Sequence, residues 1–130
     1  MRTMIAAAAL LAGACATQAG GGRMAGDWRA VDLNGFPVTD PAPTLSLGPG
    51  GRAGGSGGCN QWSADYDFDA RERLRFGPIA STKKACAPVP MEQEARYFDL
   101  LSRVRGYSLY GDGSLSLIGA DGSAIRFRRP

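Results

Sequence analysis

The chain has 130 residues, of which 44% are hydrophobic and 21% charged, and a formal net charge of +3. That length supports one small domain, and acidic residues spread through the same segments as the arginines argue against a nucleic-acid-binding surface. Histidine is absent, which excludes a Ser-His-Asp or Cys-His nucleophile and every histidine metal site.

Residues 1–14 read as a secretory leader. Arg2 supplies the positive start, Met4 to Leu11 a short apolar run, and Ala12-Gly13-Ala14 a small-residue cleavage site. The apolar run is far shorter than the roughly 20 residues a membrane-spanning helix needs. Cys15 follows at once, so the junction resembles a bacterial lipobox, with Ala12 where leucine is commoner. The resemblance implies that Cys15 is acylated (palmitate-type chains) and becomes the mature N-terminus. The alternative is ordinary cleavage near Ala14 or Ala16, releasing a soluble periplasmic protein. If Cys15 carries lipid, Cys59 and Cys86 remain as an even pair in an oxidising compartment and are expected to form a disulfide.

Residues 15–25, with Gly20-Gly21-Gly22, read as a flexible tether, and 26–130 as the domain. Trp28, Ala30, Val31 and Leu33 form a first strand, ended by an Asn34-Gly35 turn. Thr44 to Leu47 is a short strand. The glycine run at 50–58 is expected to be a bend, a bulge or a mobile loop tip. Trp62, Ala64, Tyr66 and Phe68 alternate with Ser63, Asp65, Asp67 and Asp69, placing the apolar set on one strand face. After a turn near Ala70-Arg71, Leu74 and Phe76 continue the pattern inward and Arg73 and Arg75 outward, giving a hairpin with aspartates opposite arginines. Ile79 to Cys86 is read as a further strand.

The period then changes. Met91, Ala95, Phe98 and Leu101, widened by Tyr97 and Val104, have helical spacing, predicting one helix over about 90–105. Pro90 suits its first turn, Glu92 and Glu94 its positive end, and Arg103 and Arg105 its last turn, with Gly106 closing it in a left-handed conformation. Short strands at 107–110, 115–118 and 124–128 follow. The class is α+β on an antiparallel sheet.

Three patterns suggest chemistry and are better explained structurally. Ser81-Thr82-Lys83-Lys84 fits Ser-x-x-Lys, but the partner elements of that mechanism are missing and the stretch reads as a strand. Asp65, Asp67 and Asp69 resemble the start of a calcium loop, yet Ala70 and Phe76 stand where it needs Gly and Glu. The glycine run lacks the Lys-Ser or Lys-Thr ending of a phosphate loop. Asn60, Trp62 and Tyr66 remain as a candidate ligand or partner surface. Asn60 more readily ties down its turn, and Trp62 and Tyr66 more readily join the core.

In order along the chain, Gly26-x-Trp28, Asn34-Gly35-x-Pro37-Val38, Gly58-Cys59-Asn60 with Trp62 and Tyr66, Thr82-x-x-x-Cys86, Met91 with Glu94, and Leu115-x-Leu117 resemble the META domain, or HslJ-like, family of small bacterial envelope and heat-shock-associated proteins. Ala64 and Lys84 depart from the family pattern, where Gly and Met are usual. The resemblance implies a compact, antiparallel, partly barrel-like sheet with one helix, and little chemistry. The expectation is a non-enzymatic, monomeric outer-membrane lipoprotein facing the periplasm, without a cofactor or metal. It would meet the membrane through its lipid and bind an envelope protein or cell-wall component in envelope integrity or stress response. A purely structural outer-membrane role and a small enzyme inhibitor are the alternatives.

Overall fold

The computed structural model describes residues 23–130; the leader, Cys15 and most of the tether lie outside the described residues. Ten strands run in chain order: β1 (Gly26–Leu33), β2 (Phe36–Pro37), β3 (Thr44–Leu47), β4 (Arg52–Ser56), β5 (Gln61–Phe68), β6 (Leu74–Phe76), β7 (Ala80–Ser81), β8 (Val104–Leu109), β9 (Leu115–Gly119) and β10 (Ala124–Arg128). Among the described residues a 16-residue helix, α1 (Pro88–Arg103), stands between β7 and β8. The sheet order is β6-β5-β4-β3-β1-β10-β9-β8, with β2 paired to β1 and β7 to β5, every pairing antiparallel. The two outer strands approach each other: Arg73 bridges Gly106, and the Tyr107 amide donates to the Glu72 carbonyl at 3.0 Å. The sheet is therefore nearly closed and barrel-shaped, and the protein is α+β.

Alternation along the strands fills the interior. Trp28, Ala30 and Leu33 of β1, Leu45 and Leu47 of β3, Leu115 and Leu117 of β9, and Ile125 and Phe127 of β10 are all buried. The Asn34-Gly35 turn holds both residues at positive φ (53° and 96°), the geometry a two-residue hairpin requires. Tyr97 of α1 is wholly buried, donates its hydroxyl to the Thr44 carbonyl at 2.8 Å, and meets Trp62 and Phe127 edge to face. Burial pushes its phenol well above the ordinary pKa.

The β5–β6 hairpin forms in the expected register, with Phe68 opposite Leu74 and Asp67 opposite Arg75. Its neighbouring aspartates pair differently: Asp65 with Arg52 of β4, and Asp69 with Arg73. Trp62 and Ala64 are buried, but the apolar face emerges towards the strand end, where Phe68 is 42% exposed.

Three expectations are corrected. Half of the glycine run is a strand, β4, between β3 and β5. A Cβ on Gly55 would lie 2.4 Å from the Thr44 carbonyl oxygen, and one on Gly54 3.0 Å from that of Trp62. Missing side chains here permit close backbone approach rather than mobility. Second, only Ala80–Ser81 of the 79–86 stretch is strand; Thr82 still bonds Gln61 of β5, and beyond it the Asn60 side chain takes over as partner. Third, α1 runs from Pro88 to Arg103, not 90–105, and Val104, Arg105 and Gly106 belong to β8. Gly106 does not cap the helix; a Cβ there would lie 3.2 Å from the Glu72 carbonyl oxygen, so its role is to let the barrel's two edges meet.

Candidate functional site

The sequence Gly57-Gly58-Cys59-Asn60 turns β4 into β5. Gly58 sits at φ 112°, a conformation that favours glycine. The turn aims two successive amides, those of Cys59 and Asn60, at one carboxylate oxygen. Glu94 Oε2 accepts both, at 2.9 and 2.6 Å, while Glu94 Oε1 accepts the Asn60 side-chain amide at 2.7 Å. Converging backbone amides of this kind make an anion-binding concavity. Here the anion is the protein's own Glu94, 4% exposed.

Asn60 extends the network. Its Oδ1 accepts the Lys84 amide at 2.6 Å and the Thr82 hydroxyl at 2.9 Å, and its Nδ2 also reaches the Lys84 carbonyl at 3.3 Å. One side chain thus ties the segment 82–84 to the start of β5. Cys59 and Cys86 are disulfide-bonded, with Cα atoms 6.2 Å apart, and fix the same segment at its far end.

Burial pushes the Glu94 carboxyl up, but the side-chain and backbone bonds from Asn60, the amide of Cys59 and the nearby Lys83 charge outweigh it. The carboxyl is held below its ordinary range. Gly57 makes the close approach possible: a Cβ there would lie 2.6 Å from Glu94 Cγ and 2.7 Å from Phe98 Cζ. Gly57→Ala is expected to destabilise by about 1–3 kcal/mol through overpacking. Chemical denaturation measures this, and a loss below about 0.5 kcal/mol would mean that Glu94 and Phe98 yield freely.

Drawing Glu94 inward rotates α1 from its expected setting. Its buried residues are Gln93, Glu94, Tyr97, Leu100 and Leu101. Gln93 clamps the preceding connector, accepting the Thr39 amide and donating to the Thr39 carbonyl, both at 2.9 Å. Two polar residues thus occupy part of the face assigned to an apolar stripe, because each finds backbone partners that only the fold supplies. Neither Glu92 nor Glu94 lies in the first turn. Met91, Ala95 and Phe98 fall on the flank, where they line an open groove facing 81–85. That groove has a volume of about 380 Å³ and adjoins a hollow of about 440 Å³ floored by Phe76 and Ile79; Ser81, Lys83 and Phe98 line both.

Of the three proposed surface residues, Asn60 is 3% exposed and lies at the groove's base; Trp62 is 4% exposed, packed against Tyr97 and Phe76. Trp62 is a core residue and presents no surface. Tyr66 is half-buried and stacks on Phe68 beside a separate hollow of about 720 Å³, with its hydroxyl on the Gly48 carbonyl at 2.9 Å. The structure does not bring Tyr66 to the Asn60 site. Glu94 is the central residue that the sequence did not reveal as part of it; its spacing from Met91 was legible, but its inward direction was not. Among the described residues, no three His, Cys, Asp or Glu side chains converge as metal ligands.

The protein-family comparison matches the META domain over residues 23–130. No protein of curated function matches the sequence. An NMR structure of a protein from Burkholderia xenovorans is similar at TM-score 0.67 and 21% identity, over 98% of this chain and 94% of that one. A second NMR structure aligns at TM-score 0.63 and 24% identity, over 79% of this chain and 87% of the other. A crystal structure of a DUF4847 family protein from Bacteroides vulgatus aligns at TM-score 0.59 and 16% identity, over 82% and 93%. These likenesses concern the fold. With its Gly58-Cys59-Asn60 turn and the whole domain inside the matched span, the chain belongs to the META domain family.

Proposed function

We propose that this chain is a non-catalytic lipoprotein of the bacterial envelope, anchored through Cys15, whose META domain binds a periplasmic partner protein. The observation that carries the reading is the engagement of Glu94. Glu94, a buried carboxylate set among converging amides, is bonded to Cys59 and Asn60, so the feature that most resembles a reactive site holds the fold together. The groove beside it stays open. Lys83 and Lys84, the only two lysines of the sequence, stand on its rim, and both are exposed.

The lysine pair makes the test direct. An amine-reactive crosslinker applied to intact cells can join this chain to a neighbour only through Lys83, Lys84 or a free N-terminus. The expected result is one reproducible stoichiometric adduct, together with a mature N-terminus at an acylated Cys15 by mass spectrometry. Diffuse capture of envelope material would overturn the binding role. An unmodified N-terminus at Ala16 or beyond would overturn the anchor.

A further inference from the structure

After β7 the segment 82–84 stays alongside the start of β5, and no described strand pairs with it on its outer side. The Thr82 amide donates to the Gln61 carbonyl at 3.0 Å and the Lys84 amide to Asn60 Oδ1 at 2.6 Å, so even-numbered residues face β5. By the alternation of a strand, Lys83 and Ala85 turn their backbone groups the other way. Their amides donate to no acceptor among the described residues. This free edge is held by Asn60 at one end and the Cys59–Cys86 bond at the other.

Across the groove stands the flank of α1 with Met91, Ala95 and Phe98. Lys83 and Lys84 make no ion pair among the described residues, whereas Arg29, Arg52, Arg73, Arg103 and Arg128 each face a carboxylate. Of the carboxylates on α1, Asp99 is held by Arg103, Glu94 by the Gly58–Asn60 turn, and Glu92 is exposed but does not line the groove. The rim is therefore positive. Lysines on a free edge deter self-association, but that leaves the apolar wall opposite unexplained.

We infer that this groove takes an extended acidic polypeptide, which adds as a strand along residues 83–85, seats alternate apolar side chains against α1 and sets a carboxylate beside Lys83. Strand addition draws affinity from the exposed main-chain groups and specificity from the pockets for alternate side chains. The preformed edge lowers the ordering cost on the domain's side. The inference rests on the binding role proposed above, and names the chemistry of the partner.

The test pans a random library of displayed peptides of about eight residues, roughly 26 Å when extended, on the whole mature chain. Enriched peptides should carry Asp or Glu with apolar residues at two-residue spacing, and should protect the Lys83 and Ala85 amides from hydrogen exchange. Ala95→Trp, which fills the groove from an exposed position, should weaken binding at least tenfold, and so should Lys83→Glu with Lys84→Glu. Thermal unfolding should be unchanged in Ala95→Trp. Peptides that bind the Ala95→Trp protein as tightly as the parent would overturn the inference, as would an absence of enrichment. Binding to phosphatidylglycerol vesicles without peptide binding would overturn it in favour of a membrane surface. A stoichiometric in-cell adduct that persists in the Ala95→Trp chain would overturn the groove while leaving the binding role intact.

Discussion

Replacing Glu94 with alanine is expected to lower the unfolding free energy by about 3–5 kcal/mol. The substitution strips the acceptor from three N–H groups in a buried turn, and each donor left without a partner costs about 1–3 kcal/mol, not fully additively. Glu94→Gln keeps the shape and one acceptor oxygen but sets an amide group against other N–H donors, so a loss of about 2 kcal/mol is expected. The pH dependence separates charge from shape. Because the folded carboxyl is held below its ordinary value of 4.5, its contribution is complete above that pH and is lost as pH falls through the folded value. The parent should therefore lose stability below about pH 4.5 more steeply than Glu94→Gln. Urea denaturation from neutral pH downwards measures both. An alanine variant within 1 kcal/mol of the parent, or identical acid limbs for parent and glutamine variant, would refute the role assigned to this carboxylate.

Removing the disulfide, with both Cys59 and Cys86 changed to serine, is expected to cost about 3.5 kcal/mol. The bond joins residues 27 apart, and closing a loop of that length in the unfolded chain has about this entropic value. Its two ends differ: Cys59 is 8% exposed, whereas Cys86 lies on the surface. Cys86 is therefore the end more open to an external thiol. Attack there forms a mixed disulfide with Cys86 and expels Cys59 as a thiolate, in a buried turn already holding the Glu94 charge. A disfavoured leaving thiolate slows exchange, so the native protein should be reduced at least about tenfold more slowly than the urea-unfolded one. Thiol labelling over time under dithiothreitol reads this out. Equal rates in the two states would show that the fold gives the bond no protection. A loss below about 1 kcal/mol in the double-serine protein would show that Asn60 and Glu94 hold the segment without it.

The two expectations concern one construction. Glu94 and the disulfide both hold the Gly58–Asn60 turn, one from α1 and the other from residue 86. Asn60 links the same turn to Lys84. Loss of either should free residues 82–86 and blur the edge that borders the groove, so peptide binding should weaken along with stability.

Much of the architecture was legible because it rests on local periodicity. The alternation from Trp62 to Phe68, the Asn34-Gly35 turn and the helical spacing after Pro90 all report one face against water. A chain must satisfy that contrast wherever its neighbours lie. The antiparallel α+β class follows from those elements in that order, and the cysteine count favoured the pairing of Cys59 with Cys86. The absence of histidine removed whole classes of mechanism.

The tertiary structure decided which polar groups go inside. Glu94 and Gln93 look like surface residues of an amphipathic helix, and only the amides of Cys59, Asn60 and Thr39, brought from distant parts of the chain, make their burial favourable. Turning those two inward moved Met91, Ala95 and Phe98 from the expected core to the wall of a groove. The glycines at 54 and 55 were ambiguous for the same reason: a missing side chain reads alike whether it serves motion or close packing, and Thr44 and Trp62 settle which. Periodicity records how a residue faces water, but a hydrogen bond between distant segments leaves no period in the sequence.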